Sequence, residues 1–205
     1  RIAAILAYYH LLPIHLSPYN DFMFRKLTSF IFEIAQTVVF AISIFLFIYL
    51  LILQPHKIKG SSMEPNFHDG EYLLTDKVSY RFGTPKIGDV VVFKAPPTFE
   101  DEFIKRIIGV PGDHVKVENN KVYVNQKPID EGYLAPGTQI FAGRVTAEGQ
   151  DLIVPEGEYF VLGDNREHSL DSRNIGFIPK DKITGRAWVV YWPAKNAGVI
   201  KNPTY

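Results

Sequence analysis

The chain is 205 residues long, with 22 Lys+Arg balanced by 22 Asp+Glu, no Cys, and 46% hydrophobic residues. A zero net charge excludes the basic excess of a nucleic-acid binder. The absence of Cys excludes a disulfide framework, a thiolate metal site and a Cys nucleophile. The averages hide a division: residues 1–53 hold 37 hydrophobic residues and five charges, whereas all 15 Gly and 12 of the 14 Pro lie beyond them. This pattern is an apolar leader joined to one soluble domain of about 150 residues, a size that can bury its own core.

Within the leader, Ile2–Leu16 is apolar but short and contains His10, Pro13 and His15. It reads as an interfacial segment or the remainder of an earlier, truncated span, so residues 1–33 are assigned as an N-terminal cytoplasmic or interfacial segment. Residues 34–53, IAQTVVFAISIFLFIYLLIL, carry no charge and are interrupted only by Gln36, Thr37 and Ser43. At 1.5 Å per residue a helix of this length spans about 30 Å, the thickness of a hydrocarbon core. Its apolar residues surround the axis instead of forming a stripe, which favours a transmembrane helix over a core helix. The next residues, Gln54-Pro55-His56-Lys57, supply no small-residue cleavage site, so a removable leader fits less well. Arg25 and Lys26 on one side and Lys57 and Lys59 on the other leave the positive-inside count a near tie.

Residues 54–205 read as a mainly β domain. EYLLT (71–75), DVVVF (89–93), FIKRIIGV (103–110), HVKVE (114–118), KVYVN (121–125), YFVL (159–162) and AWVVY (187–191) are strand-like, and Gly, Pro, Asn and Asp clusters separate them. Asn119-Asn120 is a hairpin signal, because Asn tolerates positive φ. Many short strands with frequent turns predict an all-β sandwich or barrel. Segment 130–151 carries no clear strand pattern, and its structure is left open.

Three places in this domain can carry chemistry. In Gly60-Ser61-Ser62-Met63-Glu64-Pro65, a constrained turn can hold a hydroxyl exposed beside backbone N–H groups, as a nucleophile and oxyanion hole require; the plain alternative is a polar turn leaving the membrane. In Phe103-Ile104-Lys105-Arg106-Ile107-Ile108, alternation puts Lys105 on one face with Phe103 and Ile107, and Arg106 on the other. Periodicity does not choose the inward cation, but only Lys can serve as a base. A Lys on an apolar face loses hydration, which lowers its pKa; snorkelling from an edge is the alternative. The third place, Gly163 to Arg173 (GDNREHSLDSR), is a polar loop directly after an apolar strand, whose Asp and Arg residues can pair to fix its shape.

The order Ser-Met-x-Pro, then Phe-Ile-Lys-Arg-Ile-Ile-Gly-x-Pro-Gly-Asp, then Gly-Asp-Asn-Arg-x-x-Ser-x-Asp-Ser-Arg resembles the bacterial type I signal peptidases, with Gly88–Phe93 similar to a further family strand. The resemblance implies a folded β-sheet or barrel peptidase domain behind a transmembrane helix. It implies a membrane-bound serine endopeptidase that cleaves signal peptides from secretory preproteins after small residues at positions −3 and −1. In that reading Ser62 is the nucleophile and Lys105 the general base. Ser169 hydrogen-bonds and orients the Lys, Gly163 is kept small beside it, and Asp171, Arg173 and Arg106 form the supporting ion pairs. The Ser62 N–H supplies an oxyanion donor. The hydroxyl that some members place two residues earlier is replaced by Gly60, so either the backbone suffices or Ser61 contributes a second donor. The resembling substrate-pocket positions are Ile58, Gly60, Met63, Phe67, Phe103 and Ile104. No cofactor or metal is implied; His56, His68, His114 and His168 lack ligand spacing, and relatives that use a catalytic His carry it where this chain has Lys105. The implied partners are signal peptides and the lipid bilayer, with no nucleic acid and a monomeric chain. The implied location is the bacterial cell membrane, with the catalytic domain on its extracytoplasmic face. The rival readings are a self-cleaving repressor-type peptidase with the same dyad and an inactive membrane-anchored β binding module.

Overall fold

The computed structural model describes residues 18–203, so Ile2–Leu16 lies outside the described residues. The chain divides into two compact units between Phe47 and Ile48. Helix α1, Pro18–Leu51, opens on a proline, whose fixed φ suits a first helical turn. Phe22–Tyr49 is long and apolar enough to cross a membrane, with a mean hydropathy of 2.3 and none of its most apolar window buried. Two hydroxyls of its uncharged stretch bond back to the helix: Thr37 Oγ1 donates to the Glu33 carbonyl at 2.9 Å and Ser43 Oγ to the Val39 carbonyl at 2.8 Å. Such back-bonding removes the cost of carrying these groups into an apolar solvent. The helix begins well before Ile34, because Arg25, Lys26 and Glu33 are good helix formers even though they limit what hydrocarbon can cover. It ends at Leu51, and Leu53 already belongs to a strand.

The second unit is antiparallel β. Its strands are β1 (Leu53–Lys57), β2 (Tyr72–Asp76), β3 (Val90–Lys94), β4 (Glu102–Gly109), β5 (His114–Glu118), β6 (Lys121–Val124), β7 (Lys127–Pro128), β8 (Asp151–Ile153), β9 (Glu158–Leu162), β10 (Ile178–Pro179), β11 (Ile183–Trp192) and β12 (Gly198–Val199), with one-turn helices α2 (Ser79–Phe82) and α3 (Ser172–Ile175). The larger sheet has the order β1-β2-β11-β3-β4-β9-β10, with β12 beside β11; the smaller has the order β7-β6-β5-β8. Register shifts in β11 between Ala187 and Val189 and between Val190 and Trp192 bend the larger sheet. Asn119 and Asn120 both have positive φ, 51° and 62°, as the β5–β6 hairpin requires. Asn125 and Gln126 repeat that geometry between β6 and β7.

Strand β3 explains its own unbroken apolar run, since it is covered on both faces. Val90 and Val92 pack with Ile58, Met63, Phe67, Leu73, Ala187 and Val190, while Val91 and Phe93 pack with Ile107, Tyr159, Val161 and Ile178. A third cluster, including Ile108, Val115, Val122, Phe160 and Leu162, joins the two sheets. Each such side chain contributes about 1.5–3 kcal/mol relative to exposure. Segment 130–151 is irregular but packed. Ile140 sits in that third cluster, and the Val145 and Thr146 N–H groups both donate to the Arg173 carbonyl.

Candidate active site

The turn after β1 is pinned at several points. Gly60, at φ +83°, donates its N–H to Asp69 Oδ1 at 2.7 Å. The Phe67 N–H donates to the Met63 carbonyl at 3.0 Å, curling the chain so that Met63 and Phe67 point into the core. Ser62 is left half-buried at the top of this turn. Strand β4 carries Lys105 to it: Nζ stands 2.8 Å from Ser62 Oγ and 2.8 Å from the Ile104 carbonyl. Lys105 and Arg106 are both buried, 3% and 2% exposed, on opposite faces of β4. The question that periodicity left open is therefore resolved by partner, Lys105 meeting Ser62 and Arg106 meeting a carboxylate.

That carboxylate is Asp164. Arg106 grips it with two bonds, Nε to Oδ1 at 2.8 Å and Nη2 to Oδ2 at 2.6 Å, and gives Nη1 to the Gly88 carbonyl. Arg173 holds Asp171 in the same way, with Nε–Oδ1 and Nη2–Oδ2 both at 2.8 Å. Asp171 Oδ2 also accepts the Gly163 N–H at 3.1 Å. Such planar, two-bond pairs fix orientation as well as charge. Burial lowers the Lys105 pKa from 10.5 to about 8, and the negative charges of Asp171 and Asp164 oppose the shift without cancelling it.

The network reaches further than sequence reasoning does. Asp164, Arg166, Glu131, Tyr133 and Asn66 all join it. Arg166 pairs with Glu131 and donates to Tyr133 Oη at 3.0 Å. Asn66 Nδ2 donates to Asp164 Oδ2 at 2.9 Å, tying the Ser62 turn to the Arg106 pair. Asp164 and Arg166 stand within a motif already singled out; Glu131 and Tyr133 lie in segment 130–151, which carries no periodic signal.

Gly163 packs against the Ser169 hydroxyl and lies so close to the Ser62 carbonyl that an added Cβ would sit 2.5 Å from that oxygen. The hydrogen bond expected between Ser169 and Lys105 is not formed: Ser169 Oγ is buried without a partner, and Lys105 spends its contacts on Ser62 and Ile104. Ser61 is exposed, and neither its hydroxyl nor the Ser62 N–H has an acceptor among the described residues.

Beside the dyad runs a cleft of about 670 Å³ lined by Gln54–Lys59 on one side, Glu100–Lys105 on the other, and Leu73, Val92 and Leu170. Ile58, Phe103 and Ile104 line it as expected. Met63 and Phe67 do not; at 1% and 4% exposure they form the core beneath the dyad, because the turn's internal bonds tuck them inward. Gly60 is also not among the lining residues. His56 Nδ1 lies 3.1 Å from Glu102 Oε2 across this cleft. His114 pairs with Asp151, and no group of three or more potential metal ligands is assembled among the described residues.

The family model for signal peptidase, peptidase S26, matches residues 31–192, which include Ser62, Lys105, the cleft and both Arg–Asp pairs. The chain belongs to the signal peptidase family. A probable signal peptidase I-2 of Synechocystis is 40% identical over 82% of this chain and 76% of its own length. Signal peptidase IB of Staphylococcus aureus strain MRSA252 is 38% identical over 88% and 97%, and signal peptidase I of Bacillus licheniformis 35% over 80% and 89%. A solved signal peptidase I from Enterococcus faecalis V583 is 31% identical, covering 50% of this chain and 96% of its own, with a TM-score of 0.43. In this signal-peptidase chain the Ser62 hydroxyl is partnered by a buried amine, and no His or Asp bonds to it among the described residues.

Proposed function

We propose that the chain is a membrane-anchored signal peptidase I that removes signal peptides from preproteins with a Ser62/Lys105 dyad. The observation that carries the reading is the 2.8 Å approach of the buried Lys105 amine to the Ser62 hydroxyl, with the amine pKa lowered to about 8. Neutral Lys105 takes the Ser62 proton as Oγ attacks the scissile carbonyl, and the resulting ammonium gives it to the departing amine. The freed Lys105 then activates water to release the acyl-enzyme. The Ser62 N–H faces the developing oxyanion. Gly163, Asp171, Arg173 and Arg106 hold the dyad in place, Ser169 packs against Gly163 beside it, and none of them does proton chemistry.

The substrate segment enters as an added strand. β1 is the end strand of its sheet, and β4 pairs with β9 only from Arg106 onward, which leaves Glu102–Lys105 open on that edge. Both open edges line the cleft, and its Ile58, Leu73, Val92 and Ile104 surface suits small side chains at −3 and −1. Helix α1 holds the chain, as a monomer, in the bacterial cell membrane, with the β domain on the extracytoplasmic face. Purified full chain in lipid vesicles cleaves a preprotein at its signal junction; Ser62→Ala and Lys105→Ala each reduce this to background while retaining the β circular-dichroism signature. Near-normal cleavage by folded Lys105→Ala refutes the mechanism.

A further inference from the structure

The oxyanion site of this chain depends on few groups. Position 60, where a side-chain hydroxyl would otherwise be available, is a glycine, and the Ser62 N–H is the backbone donor beside the nucleophile. The direction of that N–H is set by the peptide unit it belongs to, Ser61–Ser62. A trans peptide is planar, with its C=O and N–H pointing in opposite directions. Whatever holds the Ser61 carbonyl therefore aims the Ser62 N–H.

Two groups hold that carbonyl. The Glu64 N–H donates to it at 3.1 Å, a bond internal to the turn that moves with the turn. The other is Asn165, whose Nδ2 donates to it at 3.1 Å from outside. Only the NH₂ end of an amide can face a carbonyl oxygen, so the orientation of this side chain is fixed by its partner. The Asn165 backbone N–H donates in turn to the Ser62 carbonyl at 3.0 Å, which holds the next peptide plane as well. Both peptides flanking the nucleophile are thus fastened to one residue. That residue follows β9, which pairs with β4 through Arg106–Leu162, next to Lys105. The fastening refers the oxyanion donor to the strand that carries the base.

We propose that Asn165 is a positioning residue that aims the Ser62 N–H at the oxyanion by clamping the carbonyl of the same peptide unit. It touches neither substrate nor base; its amide acts through the Ser61–Ser62 plane. The proposal rests on Ser62 being the nucleophile, as in the preceding reading, and adds a role that the dyad does not require.

The test compares wild type, Asn165→Leu, which keeps most of the side chain's shape without a donor, and Asn165→Ala, all as full chain in vesicles. Removing an oxyanion donor costs about 10²–10³ in kcat, so freeing its direction is expected to cost about 10- to 100-fold. KM stays within about threefold, since ground-state binding uses the strand edges. The second measurement is inhibition by a substrate-like peptide aldehyde. Ser62 Oγ bonds to the aldehyde carbon, the carbonyl electron pair moves to its oxygen, and the Ser62 proton passes to Lys105, giving a tetrahedral adduct with its oxygen in the oxyanion site. Affinity for this adduct falls by a factor close to the loss in kcat, while the acid limb of the pH–rate profile stays where it is in wild type. General disordering of the dyad moves that limb. If either folded variant keeps kcat and aldehyde affinity within twofold of wild type, or loses only KM, or shifts the limb, the proposal is overturned. Failure of the underlying reading shows differently: wild type itself leaves the preprotein uncut, or Ser62→Ala still cuts it.

Discussion

The pH dependence of cleavage tests the central claim about Lys105 without altering a residue. With a pKa of about 8, Lys105 is neutral in about one molecule in eleven at pH 7 and in about ten in eleven at pH 9. The rate constant kcat/KM is therefore expected to climb about tenfold over that interval and then level off. An amine left at 10.5 would be neutral in roughly three molecules in ten thousand at pH 7, and the rate would rise about tenfold per unit through pH 10. The difference at pH 7 is a factor of about 300, which is what burying the amine supplies. The assay is initial-rate hydrolysis of a fluorogenic signal-junction peptide, at substrate well below KM, across pH 6 to 10. A unit slope that persists to pH 10 refutes the reasoning.

The same shift must appear in stability, with a sign that can be fixed in advance. Lowering the folded pKa below the unfolded 10.5 means that the unfolded chain binds more protons between about pH 8 and pH 10.5, so stability rises with pH across that window. The cost of burying the ammonium is fully present below pH 8 and absent above 10.5. At 1.36 kcal/mol per unit it amounts to about 3 kcal/mol. Lys105→Met removes the cost together with two hydrogen bonds, each contributing about 1 kcal/mol. Measured by denaturant midpoint, the advantage of the variant over wild type should shrink by about 3 kcal/mol between pH 7 and pH 11. A pH-independent difference shows that the amine is not desolvated.

Three further outcomes are expected. Gly163→Ala pushes a Cβ toward Ser169 Oγ and the Ser62 carbonyl, so the turn must shift; kcat is expected to drop at least tenfold in a steady-state assay while the melting temperature moves little. Arg106→Leu leaves Asp164 buried and unpaired, which costs about 3–5 kcal/mol of stability in a urea titration, and a loss below 1 kcal/mol contradicts the pairing. A reporter fused after Tyr205 should be active only as an extracytoplasmic marker, and a cytoplasmic signal reverses the proposed orientation.

The parts of the molecule that were legible in the sequence are those whose physics is local. Alternation in FIKRIIGV places Lys105 and Arg106 on opposite faces of a strand, and Asn119-Asn120 spells a tight hairpin, because each depends on neighbours within a few residues. Strand β1 is not legible in the sequence because LQPHK contains a Pro and two basic side chains directly after an apolar helix, so no period survives. Strands β7, β10 and β12 have two residues each, too few for any period. The family resemblance puts Met63 and Phe67 in the substrate pockets, yet which side of the turn they occupy is decided by hydrogen bonds within it.

The pKa of Lys105 is the hardest feature to read in advance, because it depends on which charges pair. Two carboxylates stand close enough to raise it, Asp171 and Asp164. Neither stands as a lone charge. Each is instead gripped by two nitrogens of an arginine, one of them 58 positions away in the chain. Desolvation outweighs the two carboxylates, and the amine pKa falls. The arginines fix the two carboxylates in place. Polar residues in GDNREHSLDSR announce that pairing is possible, but only the fold determines that it is complete.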